Sequence, residues 1–267
     1  MYEAPKAKKS KSIGRIAFLF KSGREDRKSQ SFPTEFFYGF IQLQQAGYDV
    51  EIIIDRELNL GNSPSRLRRV LSHFVYLMIG IPLWPLRRLT RHNVRERLDS
   101  FDGLVVTTNT FGICLCVLRR LNLIRPQILF IAMGLIKSTT PRRTIAIYRW
   151  LFRKNVMLRT LSEIDANLLA SRLRTPVLHI PFGVDPSFWV PIEVNACASS
   201  EDYILSIGND SNRDYQTLLD AWKSNYPKLR IVTSQDIATT SPNIEIIRGD
   251  WHKQILTDEH IRTLMQH

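Results

Sequence analysis

The chain has only three cysteines in 267 residues, Cys114, Cys116 and Cys197. They are too few for a disulfide framework, and no paired Cys/His spacing suggests a zinc site. Cys114 and Cys116 stand two apart on a predicted helix, where their side chains diverge and read as small buried hydrophobes. Long hydrophobic runs are also missing. The longest, Phe74–Leu86, is interrupted by Gly80, Pro82 and Pro85 and falls short of the roughly 20 residues that a spanning helix needs. The short apolar run Ile16–Phe20 stops at Lys21 and reads as a strand, not as a secretory core. No Gly-x-Gly-x-x-Gly, phosphate loop or Gly-x-Ser-x-Gly elbow occurs, which removes support for ordinary dinucleotide binding, ATP binding and serine-hydrolase chemistry. Nor is there an Asp-x-Asp pair of the sort that holds a metal on a donor diphosphate. Glu163-Ile-Asp165 comes closest, and after Ser162 it reads as the acidic first turn of a capped helix.

Acidic residues are scarce in one part only. Lys and Arg number 37 against 25 Asp and Glu, a net charge of +12. Up to Val190 there are 30 basic and 14 acidic residues, and from Pro191 onward 7 and 11. A basic first part suggests an anionic neighbour, and a nucleic acid is the weakest candidate because no recognised reading module accompanies the charge. The apolar share of 44% is ample for packed cores, and the length suits about two domains.

Short aliphatic runs alternate with segments of helical spacing, the signature of βα units on a parallel sheet. Strands are predicted at 15–21, 49–55, 102–107, 127–133, 156–161 and 177–180, and helices at 34–43, 111–121, 142–152 and 163–172. Residues 1–12 form a basic tail, 13–190 a Rossmann-like domain, and 191–201 a Ser/Ala/Pro-rich linker. Residues 202–267 form a partial second Rossmann-like domain, with strands at 203–207, 229–233 and 244–247 and helices at 215–223 and 258–266. Three strands are about half of a Rossmann-like unit, so a truncated or interrupted chain is expected, the alternative being a small complete second domain.

Three stretches in order carry a resemblance: Ile180-Pro-Phe-Gly-Val-Asp185 with Phe188 to Pro191, then Tyr203-Ile-Leu-Ser-Ile-Gly208 leading to Leu218-Leu-Asp-Ala221, then Asn243-Ile-Glu-Ile-Ile-Arg-Gly249. Together they resemble the hinge and the first half of the donor domain of retaining GT-B glycosyltransferases of family 4. The resemblance implies an α/β GT-B-like fold and metal-independent transfer of a sugar from a nucleotide-diphosphate donor, which serves as substrate with no separate cofactor. The acceptor it implies is lipid-linked or an envelope saccharide. It places Gly208 on the family's glycine, Arg213 on its phosphate-binding lysine, and Asn209 where the family commonly has an arginine. Met133 and Gly134 stand where the family often has a histidine, so no catalytic residue is assigned. The family's glutamate pair spaced by seven residues is expected beyond residue 267. A noncatalytic remnant of such an enzyme, associated with a membrane or a partner protein, is the alternative.

The residues themselves support phosphate chemistry. A glycine at a strand end admits a phosphate close to the backbone, Arg213 can clamp a diphosphate with two bonds, and the helix start at Asp214–Gln216 is expected to offer N–H groups. In the first domain, Gly23 and Arg24 follow the first strand, where open α/β sheets bind ligands, and are read as an acceptor-side loop. The basic excursion between Arg56 and Arg97 holds nine arginines, and Arg69, Trp84, Arg87, Arg88 and Arg91 are read as a membrane-surface segment. A cytoplasmic protein, peripheral on the inner membrane face, is therefore expected, with an anionic membrane surface as a partner.

Overall fold

The computed structural model describes residues 14–23, 32–58, 66–153, 155–190, 202–209, 213–249 and 256–265. At 66–69 and 71 only the backbone is described. The basic tail, the linker, Arg24 and Cys197 lie outside the described residues. Two compact units are present, one comprising 1–24 and 35–183, the other 25–34 and 184–267.

The first unit is built on a six-stranded sheet whose paired strands all run parallel: β1 (Ile16–Phe20), β2 (Val50–Ile54), β3 (Gly103–Val106), β4 (Gln127–Ala132), β5 (Val156–Thr160) and β6 (Leu178–His179). The spatial order is β2-β1-β3-β4-β5-β6. Strand order therefore reverses between β1 and β3, an arrangement compatible with Rossmann-like folds.

Alternation along β1 assigns the two faces of this sheet. Phe18 and Phe20 point to one side, where Phe40 and Phe37 meet them edge-on with ring centroids 5.5 and 6.1 Å away. Ala17 and Leu19 point to the other and join a core with Leu104, Val106, Phe130, Ala132 and Leu158. That core is closed by α3 (Leu83–Leu89), α4 (His92–Asp99), α5 (Asn109–Arg120), α6 (Arg142–Leu151) and α7 (Glu163–Leu173). Ser162 caps α7 by accepting the Asp165 N–H, as the acidic first turn implied. Before α3 runs α2 (Arg66–Ile79), which packs on α3 and α6.

One element differs from its expected form. The segment predicted as a single helix from Thr34 to Leu43 is a 3-10 turn, Thr34–Phe37, followed by α1, Phe40–Gln45. Tyr38 and Gly39 between them are both left-handed, with φ of 50° and 89°. The break turns Phe37 and Phe40 onto the same sheet face, where both are wholly buried.

Cys114 and Cys116 lie buried in α5, and burial pushes both thiols far above the ordinary cysteine range. In a Cys197→Ser variant, native protein is therefore expected to react with a thiol reagent at least about a thousandfold more slowly than denatured protein, since only opened molecules expose a thiolate. Rapid modification of two thiols under native conditions would contradict the packing of α5.

The second unit carries a three-stranded parallel sheet, β7 (Tyr203–Ile207), β8 (Lys228–Thr233) and β9 (Ile244–Arg248), in that order. Helix α8 (Tyr215–Ala221) covers one face through Tyr215, Leu218 and Leu219, together with Trp222 just after it. Helix α9 (Asp258–Met265) covers the other with Ile261 and Leu264, beside Val232 and Trp189. The Tyr203 hydroxyl donates to the Leu264 carbonyl at 2.6 Å and ties α9 to the sheet.

Candidate functional sites

In each unit the residues with chemistry collect where parallel strands end. In the second unit, Gly208 continues the ladder past β7, donating its N–H to the Val232 carbonyl at 3.0 Å. Its own carbonyl accepts from the buried Tyr215 hydroxyl at 2.8 Å. The absent side chain is used at this position. A Cβ on Gly208 would stand 2.6 Å from Nε and 3.0 Å from Cζ of Arg213, so the guanidinium lies directly over the glycine. Asn209 turns its Oδ1 to the Ser234 N–H at 2.7 Å and thereby joins the ends of β7 and β8. Gly208, Asn209 and Arg213 are thus brought together at one corner of the sheet.

Helix α8 differs from what the sequence suggested. The Asp214 carboxylate accepts the Thr217 N–H at 3.1 Å and the Thr217 hydroxyl at 2.7 Å, and these bonds hold its pKa below the usual carboxylate value. The start of this seven-residue helix already carries its own anion, so its N–H groups are not the open anion site the sequence suggested. Farther along the same edge, Arg248 at the end of β9 donates to Asp236 at 2.8 Å.

Asp185 of the Gly-Val-Asp stretch is structural. One carboxylate oxygen accepts from the Ser187 N–H and hydroxyl at 3.0 and 2.5 Å, the other from the Thr34 N–H and hydroxyl at 3.1 and 2.9 Å. With the Ser187 hydroxyl the largest contributor, these bonds hold the carboxyl far below its ordinary range. A carboxylate so fully engaged orders a turn and is a poor proton acceptor.

In the first unit, the strand-order reversal places the loops after β1 and β3 side by side. Gly23 has a left-handed φ of 98°, and Ser22 beside it donates its N–H to Asp55 at 2.9 Å. After β3 comes Thr107-Thr108-Asn109, none of which the sequence marks as a site: Thr107 is expected in the strand and the next helix from Phe111, whereas α5 starts at Asn109. The Asn109 amide donates to the Met133 carbonyl at 2.7 Å and its oxygen accepts the Met133 N–H at 3.3 Å, fixing the loop where β4 ends. The hydroxyls of Thr107 and Thr108 are buried and have no partner among the described residues. A strand end followed by three small polar residues was the available signal. Met133 and Gly134 directly follow β4, beside this loop.

The predicted membrane-surface residues gather as well. Trp84, Arg87, Arg88 and Arg91, with Thr90, line one pocket of about 370 Å³. The Arg88 guanidinium lies over the Trp84 ring at 4.8 Å. Arg69 belongs to α2, where only its backbone is described.

No family model and no curated protein matches the chain. No helix among the described residues is long and apolar enough to cross a membrane.

Proposed function

We propose that this chain is a retaining glycosyltransferase of the two-domain GT-B type, resembling family 4. It transfers a sugar from a nucleotide-diphosphate donor to a lipid-linked or envelope saccharide acceptor at the cytoplasmic face of a membrane. The observation that carries this reading is the guanidinium of Arg213 lying over Gly208, whose turn is held by Tyr215. A guanidinium in this place can reach a diphosphate bound at the end of β7. Arginine stays charged and offers two parallel N–H bonds to the leaving group as negative charge grows on it. Gly23 and the Thr107–Asn109 turn form the acceptor-side crevice in this reading.

The test is binding of a uridine or guanosine diphosphate by calorimetry. Arg213→Ala is expected to weaken it about 10- to 100-fold, the loss of a charge-assisted pair, and Arg213→Lys to restore only part. Gly208→Ala is expected to weaken it similarly by displacing the guanidinium while leaving the fold intact, because the group it meets is the end of a flexible chain. If neither diphosphate binds, or if binding is indifferent to both positions, the donor-site reading is wrong.

A further inference from the structure

We propose that the surface formed by α2 and α3 docks on a bilayer containing anionic phospholipid, with lipid phosphate held among Arg87, Arg88 and Arg91 beside Trp84 and the outward face of α2 entering the interface. Helix α2 leaves much of its apolar surface exposed. Val70, Phe74 and Leu77, at helical spacing, are 66%, 58% and 57% exposed, with Tyr76, Met78 and Leu83 exposed around them. Helix α2 packs on α3 and α6, and these apolar groups stay exposed among the described residues. An amphipathic helix flanked by cations is what binds in the plane of a charged interface.

Charge complementarity selects the occupant. No Asp or Glu occurs between Glu57 and Glu96. No ion pair among the described residues involves Arg87 or Arg91. The pocket they line with Arg88 and Thr90 is open to an anion of phosphate size, and Trp84 supplies the aromatic body that favours the headgroup level. On the α6 side, Arg143 reaches the Met78 sulfur at 3.2 Å and so rims the far end of the apolar face.

Two helices also begin against electrostatic preference. Helix α2 opens with Arg66, Arg68 and Arg69 and α6 with Arg142 and Arg143, and neither has an acid in its first turn. Arginines at the positive end of a helix dipole weaken the helix, and an external anionic surface reverses that penalty.

The surface lies wholly in the first unit, so its test is independent of the nucleotide experiment. The full chain is sedimented with vesicles of phosphatidylcholine alone and of phosphatidylcholine mixed equally with phosphatidylglycerol. Binding is expected to be at least tenfold tighter to the anionic vesicles, and to fall with salt. Joint replacement of Arg87, Arg88 and Arg91 by alanine is expected to lower partitioning about a hundredfold, since each surface cation near an anionic leaflet contributes somewhat under a factor of ten. Phe74→Ser with Leu77→Ser should lower it tenfold or more with an unchanged circular dichroism spectrum, both side chains being exposed. Equal binding to the two vesicle types, or insensitivity to both variants, overturns the proposal. So does a concentration-dependent dimer dissolved by the Phe74/Leu77 variant, which would assign the face to a second copy, or equally tight salt-sensitive binding to duplex RNA.

Discussion

Gly112→Ala is expected to destabilise the protein by about 1–3 kcal/mol, and to stabilise it by about 0.5–1 kcal/mol once Phe130 has been replaced by alanine. Gly112 lies buried in the middle of α5, where alanine is ordinarily the better helix former. Here a Cβ would stand 2.3, 2.5 and 2.6 Å from three atoms of the Phe130 ring. The ring has no room to retreat, since it is wholly buried and meets Phe152 at 6.0 Å. Phe130→Ala alone should cost about 3–5 kcal/mol. Urea unfolding of the four proteins gives the coupling directly. A Gly112→Ala protein as stable as the parent would mean that α5 rides higher above β4 than described. The consequence reaches the crevice, because α5 begins with the Asn109 that fixes Met133, and a lifted helix would pull those bonds apart.

The second large effect is expected at Gly80, which ends α2 with a φ of +74°. Alanine there should cost about 2–4 kcal/mol, combining the left-handed backbone penalty with overpacking. The added carbon would meet Thr144 Cγ2 at 2.5 Å and the Tyr148 hydroxyl at 2.7 Å, both on buried residues of α6. Tyr148→Phe offers little relief. It leaves the Thr144 overlap and deprives the Gly80 carbonyl of the donor that now reaches it at 2.7 Å. Hydrogen exchange should show the damage as faster exchange throughout α2, with β3 and β4 protected as before. Uniform loss of protection would mean that α2 is integral to the cooperative unit.

The strands were legible because each is a short aliphatic run bounded by polar or glycine residues; Tyr203–Ile207 begins and ends where the alternation said it would. The break at Tyr38-Gly39 was hidden, because Phe36, Phe37, Phe40 and Ile41 fit helical spacing whether or not the backbone is continuous. The excursion was half legible. Its cationic, aromatic surface could be read from composition, but Leu89, Val94 and Leu98 are core residues, a division that only the packing of α3 and α4 into the core of the first unit creates. At the candidate donor site the residue types were readable, and the occupation of the α8 terminus by Asp214 was not, since an aspartate there can cap a helix or face solvent.

The order β2-β1-β3 gives the basic excursion a particular freedom. The connection from β2 to β3 passes over β1, so no strand register is set by its length. Closing such a connection costs only about 0.6 kcal/mol more for each doubling. Elaboration before the buried residues of α3 and α4 is therefore cheap for the sheet. The length and charge of the segment before α3 are thus decoupled from the strand registers, and insertions there are expected to leave the six-stranded sheet intact.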